Sequence, residues 1–146
     1  MINFSNYKKV KLKDVARFER AKKDVVYSAG CSTIQISATR GQLDYLEHDR
    51  TVDSQYVVII PNEQILSKYL FFVLQKNVER FTNTYQQGIN IVAEDVGEFP
   101  IELHDLETQA KVVELIQVVD DDIKQTEKEI NEFKKIKDVF LTKMFV

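Results

Sequence analysis

The stretch LETQAKVVELIQVVDDDIKQTEKEINEFKKIKDVFLTKMFV, residues 106–146, holds no glycine and no proline. Val112, Ile116, Val119, Ile123, Thr126, Ile130, Phe133, Lys137, Phe140 and Met144 recur in it at spacings that alternate four and three. That alternation is a heptad seam. Asp105, just ahead of Leu106, suits the N-cap of the helix it predicts. A helix of ~40 residues would be ~60 Å long, more than the width of a domain of ~100 residues. Its seam is therefore expected to meet another helix.

The two polar seam positions choose a direction for that partner. A parallel homodimer would stack Lys137 on its own copy. An antiparallel one centred at Lys128 sets Lys137 against Val119, Ile130 against Thr126, Phe133 against Ile123, Phe140 against Ile116 and Met144 against Val112. It also brings Asp120 to Lys134, with Glu127 and Glu129 facing their copies near the centre. The expectation is an antiparallel coiled coil in a dimer, formed by residues 105–146.

Upstream, residues 1–104 read as one mixed α/β domain, giving an α+β fold class for the chain. VKLKDVARFE, residues 10–19, opens it as a strand or a short helix. Ser32 to Thr39 alternates Ile34 and Ile36 with Thr33, Gln35 and Ser37, the period of a strand with one polar face. Arg40-Gly41-Gln42 then marks a turn, and Leu43 to Leu46 either pairs back as a hairpin or runs on as a loop. The run QYVVIIP, residues 55–61, has the β-branched continuity of a central strand buried on both faces. From Glu63 to about Phe81 the apolar spacing predicts a helix covering the sheet. After Gly88 the sequence predicts a turn, a short strand and a last extended piece around Pro100.

Length and composition bound the function. The 146 residues, 44% hydrophobic and 29% charged, suit one soluble core with an appendage. No run approaches the ~20 apolar residues of a membrane span, and the N-terminus lacks a leader pattern. A cytoplasmic protein without a membrane partner is expected. One cysteine and two histidines exclude an intrachain disulfide and leave too few ligands for a structural zinc site. The net charge of −3 conceals a basic start and an acidic end. Residues 1–40 carry nine Lys/Arg against three acids, and residues 101–146 seven Lys against eleven.

No catalytic signature emerges: there is no GxSxG, P-loop, dinucleotide fingerprint or HExxH. Asp120 to Asp122 with Glu132-Phe133-Lys134 has the letters of a nuclease acid-x-lysine motif. Phe133 belongs to the seam, so the acids read as a solvated helix face. Cys31 reads as a small core residue. Neither an enzyme nor a bound cofactor is expected.

Two polar sets have the chemistry of base edges. One is Gln35, Ser37, Thr39, Arg40 and Gln42; the other is Asn83, Thr84, Gln86, Gln87 and Asn90. Arginine pairs bidentately with guanine, and asparagine or glutamine with adenine. Arg20, Lys22 and Lys23 in the basic segment complete a candidate double-stranded DNA surface, the lysines suiting phosphates.

GINIVAEDVGEFPIELHDLETQAKVVELIQVVDDDI resembles the end of a target-recognition domain in the specificity subunits of type I restriction-modification systems. The step Leu106-Glu107-x-Gln109 into the helix carries most of the likeness. Leu12-x-Asp14-Val15-Ala16 resembles the family's opening, YVVIIPN followed by YLFFVLQ its central strand and helix, and KMF its end. The resemblance implies a domain that reads half of a split DNA site and a spacer helix that docks methyltransferase subunits, with restriction subunits a possible addition. Those methyltransferase subunits, not this chain, would bind S-adenosylmethionine. Two departures stand out. The family usually has two recognition domains and two spacer helices, which makes this a half-size form expected to pair with its own copy. Prolines are also common in the family where this chain has His104-Asp105. The competing readings are a stand-alone dimeric DNA-binding regulator and a coiled-coil adaptor that never touches DNA.

Overall fold

The β-branched run Tyr56–Pro61 sits inside a four-stranded sheet, with Val57, Val58 and Ile59 fully buried. The computed structural model describes residues 2–145; Met1 and Val146, the outermost residues of the two expected segments, lie outside them. In chain order the elements are β1 Lys8–Lys11, α1 Leu12–Val15, β2 Ala16–Arg20, β3 Val26–Tyr27, β4 Ser32–Gln35 and β5 Leu43–Tyr45. They continue with β6 Arg50–Thr51, β7 Tyr56–Pro61, α2 Ser67–Tyr85, a 3-10 helix Ala93–Glu98, β8 Pro100–Leu103 and α3 Leu106–Met144. This is a mixed α/β domain with antiparallel sheets followed by a long C-terminal helix. The segment read as strand or short helix is both: β1 and β2 flank the single helical turn of α1.

The main sheet has the order β2-β7-β4-β5, antiparallel throughout. Side chains alternate across a strand, so β7 serves two cores. Val58 joins Ala21, Tyr27, Cys31, Leu46 and Val52, with Tyr56 and Ile60 packed alongside. Val57 and Ile59 point to the other face, where α2 packs with Tyr69, Leu70, Val73, Leu74 and Phe81 buried. Phe81 stacks on Phe99 with ring centroids 4.3 Å apart. Burial pushes the Cys31 thiol above its ordinary range, partly offset by Arg17. β1 and β8 form a separate two-stranded sheet, Lys8 opposite Leu103 and Lys11 opposite Pro100. β3 and β6 form another.

Several expectations need correction. The strand from Ser32 ends at Gln35, not Thr39, because Ile36 and Ser37 turn to bond the Gln55 carbonyl. On the face read as polar, Thr33 is as buried as Ile34, while Gln35 and Ser37 are half-buried. β5 does pair back on β4 as a hairpin. The helix expected at Glu63 begins at Ser67, since Asn62 accepts the Gln64 amide and residues 62–66 form a turn. The short strand expected after Gly88 is the 3-10 helix. Its Val96 is fully buried, and close packing at Gly97 leaves no room for a side chain: a Cβ there would lie 2.6 Å from Phe18 Cζ.

The chain divides into two compact units, Met1–Ala110 and Lys111–Val146. The first turn of α3 thus belongs with the first unit. Asp105 caps that turn by accepting the Thr108 amide at 2.7 Å, which holds its carboxyl below the usual range. Gln109 is fully buried. Its Oε1 accepts the Leu66 amide at 2.8 Å, and its Nε2 donates to the carbonyls of Gln64 at 3.0 Å and His104 at 2.8 Å. His104 in turn bonds the Phe4 carbonyl through Nε2 at 2.8 Å. These bonds fix the start of α3 to the start of α2 without the expected proline.

Candidate nucleic-acid interface

Strand register gathers the candidate residues at one end of the main sheet. Arg20 at the end of β2 stands opposite Val57, Gln35 at the end of β4 opposite Tyr56, and Leu43 at the start of β5 opposite Ile34. The loops 21–25, 36–42 and 52–55 therefore emerge together. Loop 86–91, distant in sequence, is bound to them. The Thr39 amide donates to the Ile89 carbonyl and the Ile91 amide to the Ile36 carbonyl, each at 2.8 Å. The Ala38 amide donates to Asn90 Oδ1 at 3.1 Å and Gln86 Nε2 to the Thr39 carbonyl at 3.0 Å.

The expected DNA-facing side chains divide into two groups. Gln35, Thr39, Gln42, Gln86 and Asn90 build the loops. Gln35 Nε2 donates to the carbonyls of Ser37 at 2.8 Å and Ala38 at 3.0 Å. Gln42 Oε1 accepts the Arg40 amide at 2.7 Å and the Thr39 hydroxyl at 3.1 Å, and Thr39 itself is buried. Arg20 is tethered by Nε to the Ser54 carbonyl at 2.8 Å and reaches the Ser37 hydroxyl at 3.4 Å. The second group is outward. Arg40, Lys23 and Gln87 are exposed, with no side-chain partner among the described residues, and Lys22 has only a 3.6 Å ion pair with Glu19. Asn83 and Thr84 lie on the last turns of α2, outside the knitted loops.

Charge and strain concentrate here. Residues 20–24, 35–42, 52–55 and 86–91 hold four Lys/Arg against two Asp, a balance of +2 in a chain of net −3. Asp24 and Ala38 have φ of 63° and 49°. That left-handed backbone costs a non-glycine residue ~1–2 kcal/mol. Gly41, at φ 81°, brings the loop so close to α2 that a Cβ would meet Thr82 Cγ2 at 2.9 Å. Strain held by surrounding hydrogen bonds is a mark of functional loops.

Sequence reading missed two contributors. The Ser54-Gln55 loop supplies three carbonyl bonds that order Arg20, Ile36 and Ser37. Ile89 is 66% exposed at the tip of loop 86–91. Gly88-Ile89 inside a polar run was its only signal.

The basic N-terminal segment is not one surface. Lys11 and Lys13 both clamp Glu98, at 2.5 and 2.8 Å, and hold its carboxyl down to about 2. On α3, Val119, Ile123, Ile130, Phe133, Phe140 and Met144 are 47–70% exposed, Val112 and Ile116 half-buried, and Thr126 and Lys137 exposed. Leu115, Val118, Ile136, Val139, Leu141 and Phe145 are exposed as well, although they lie off the predicted seam. No helix among the described residues is long and apolar enough to cross a membrane.

The family model described as the type I restriction modification DNA specificity domain matches residues 5–135. No curated protein matches the sequence. Three solved structures share the fold. One, from work on the structural basis of complex assembly and conformational transition of the type I R-M system, has TM-score 0.71 and 12% identity over 84% of this chain and 40% of its own. The type I restriction-modification S subunit from M. genitalium has TM-score 0.67 and 15% identity, covering 92% of this chain and 44% of its own. The HsdS subunit from Thermoanaerobacter tengcongensis has TM-score 0.66 and 11% identity, covering 84% and 39%. The chain thus spans about two fifths of the length of each.

Proposed function

The chain belongs to the type I restriction-modification DNA specificity domain family, and from that premise we propose that its sheet end reads one half of a split site in double-stranded DNA. The observation that carries this reading is the convergence of loops 21–25, 36–42, 52–55 and 86–91 on one end of the sheet. Arg40 and Gln87 are the side chains aimed at base edges, where arginine suits guanine and glutamine adenine. Lys22 and Lys23 contact phosphates and set the register. Gln35, Ser37, Thr39, Gln42, Gln86, Asn90 and the tethered Arg20 shape the reading loops, a supporting role that keeps them part of the DNA site.

Residues 1–104 act as the recognition domain and 105–146 as spacer and dimerisation helix. The seam of α3 pairs with a second copy, antiparallel, and the exposed apolar side chains along it support this. An antiparallel pair has a two-fold axis across the helices, so the two domains meet a bipartite site with identical half-sites. In this reading the chain is non-catalytic. Methyltransferase subunits dock on it and carry S-adenosylmethionine to adenine, restriction subunits are an optional addition, and the assembly works in the cytoplasm.

The test is binding of the full chain, with methyltransferase subunits, to DNA carrying the modified motif across a salt series. Arg40→Ala should relax preference at one position at a cost of ~1–3 kcal/mol, whereas Lys22→Ala should weaken all sequences alike and lower the salt slope by about one. Unchanged binding in both variants places the DNA face elsewhere. Dimeric DNA binding that never involves a methyltransferase would favour a stand-alone regulator.

A further inference from the structure

We propose that Ile89 is a specificity-determining residue that packs on the C5 methyl group of a thymine beside the base read by Arg40. The inference rests on the sheet end being the DNA-reading surface. Exposed apolar side chains are ordinary on protein surfaces. Ile89 differs in how its main chain is held. Gln87 and Asn90 bond each other in both directions, at 2.8 and 3.1 Å, closing a two-residue turn with Gly88 at φ 61°. The Ile89 carbonyl accepts the Thr39 amide at 2.8 Å, and Gln86 Nε2 holds the Gly88 carbonyl at 3.1 Å. Asn90 is pinned by the Ala38 amide.

Ile89 is 66% exposed on a tip that is bonded on both sides. The main chain that carries it cannot fold back onto the core without breaking those bonds. The Thr39–Ile89 bond also makes Arg40 and Ile89 near neighbours across two loops, and successive bases lie ~3.4 Å apart along a strand. In the major groove the thymine methyl is the one apolar group a base edge offers. A β-branched apolar side chain among Arg40 and Gln87 has that group to match.

The experiment is a chemical double-mutant cycle on the full chain with its methyltransferase subunits. The probes are duplexes carrying the modified motif in which thymidines, within the half-site and one pair beyond it, are replaced one at a time by deoxyuridine, which removes only the methyl group. For the wild type, one position should weaken binding about fourfold, the scale of burying one methyl group. Ile89→Ala should bind the thymine duplex correspondingly less well and lose nothing further on deoxyuridine at that position, while Ile89→Val retains the coupling. Unchanged thermal melting of Ile89→Ala keeps the comparison free of folding effects.

Equal deoxyuridine losses in wild type and Ile89→Ala at every position, or a half-site and flank with no thymine on either strand, overturn the inference. So does an Ile89→Ala protein that binds DNA normally but loses methyltransferase association, which would make the tip a protein contact. A wild type that fails to distinguish the motif from a scrambled duplex is a different result, and refutes the DNA-reading surface itself.

Discussion

Replacing Gln109 with leucine should unfasten the start of the long helix. The side chain is fully buried and makes three hydrogen bonds, to the Leu66 amide and to the carbonyls of Gln64 and His104. A typical buried bond contributes ~1 kcal/mol net, so the loss is about 3 kcal/mol, a sizeable share of the ~5–15 kcal/mol that holds a domain together. For a chain of 146 residues, at about 4 °C per kcal/mol, the melting temperature should fall by ~12 °C. Gln109→Glu keeps the acceptor for Leu66 but sets carboxylate oxygen against two carbonyls, and should be no better tolerated. The assay is urea unfolding followed by circular dichroism, with thermal melts in parallel. A loss below ~0.5 kcal/mol for Gln109→Leu, the range of an ordinary surface change, would refute the idea that this amide is what the Leu106-Glu107-x-Gln109 pattern encodes.

Ile123→Asp with Ile130→Asp should give a folded monomer by light scattering where the unmodified chain is a dimer; a dimer in both would remove the seam from the interface. Gly97→Ala should cost ~1–3 kcal/mol by overpacking Phe18, and Phe18→Leu in the same chain should recover part of it; no recovery would mean the close approach is not the cause. The Glu98 carboxyl is lowered from 4.5 to about 2 by Lys11 and Lys13, so its stabilising effect is complete above the unfolded value and is lost as pH falls through the folded one. The stability gap between wild type and Glu98→Gln should therefore be full near pH 6 and close between about pH 4.5 and 2; a gap independent of pH would contradict the clamp.

Legibility in the sequence followed the physics of each element. The β7 run, the long helix and the Asp105 cap were readable because each depends on local pattern: continuous β-branching, a sustained heptad, an oxygen one residue ahead of a helix. The end of β4 was not, because Ile36 and Ser37 leave the ladder to bond Gln55, a partner some twenty residues on. The 3-10 helix at Ala93–Glu98 was misread as a strand since its six residues are too few for periodicity to speak. At the candidate site, residue chemistry named side chains that the fold gathers at one end of the sheet, but it could not divide them into outward groups and groups that tie the loops together. A glutamine that reads adenine and one that ties down a loop are the same letter, and only the hydrogen bonds of Gln35, Gln42 and Gln86 separate them from Gln87. Ile89 escaped because apolar residues are assumed to be inside.

The most direct test of the account is to sequence the modified bases in cells that express this chain with a type I methyltransferase subunit as the only source of specificity. Two identical readers related by a two-fold axis, their centres about one helical turn or more apart (~34 Å), predict a split motif whose half-sites are the same sequence on opposite strands, separated by unread bases. A modified motif that is asymmetric, or that has no gap, would contradict the paired-reader account and require a different chain to supply the other half.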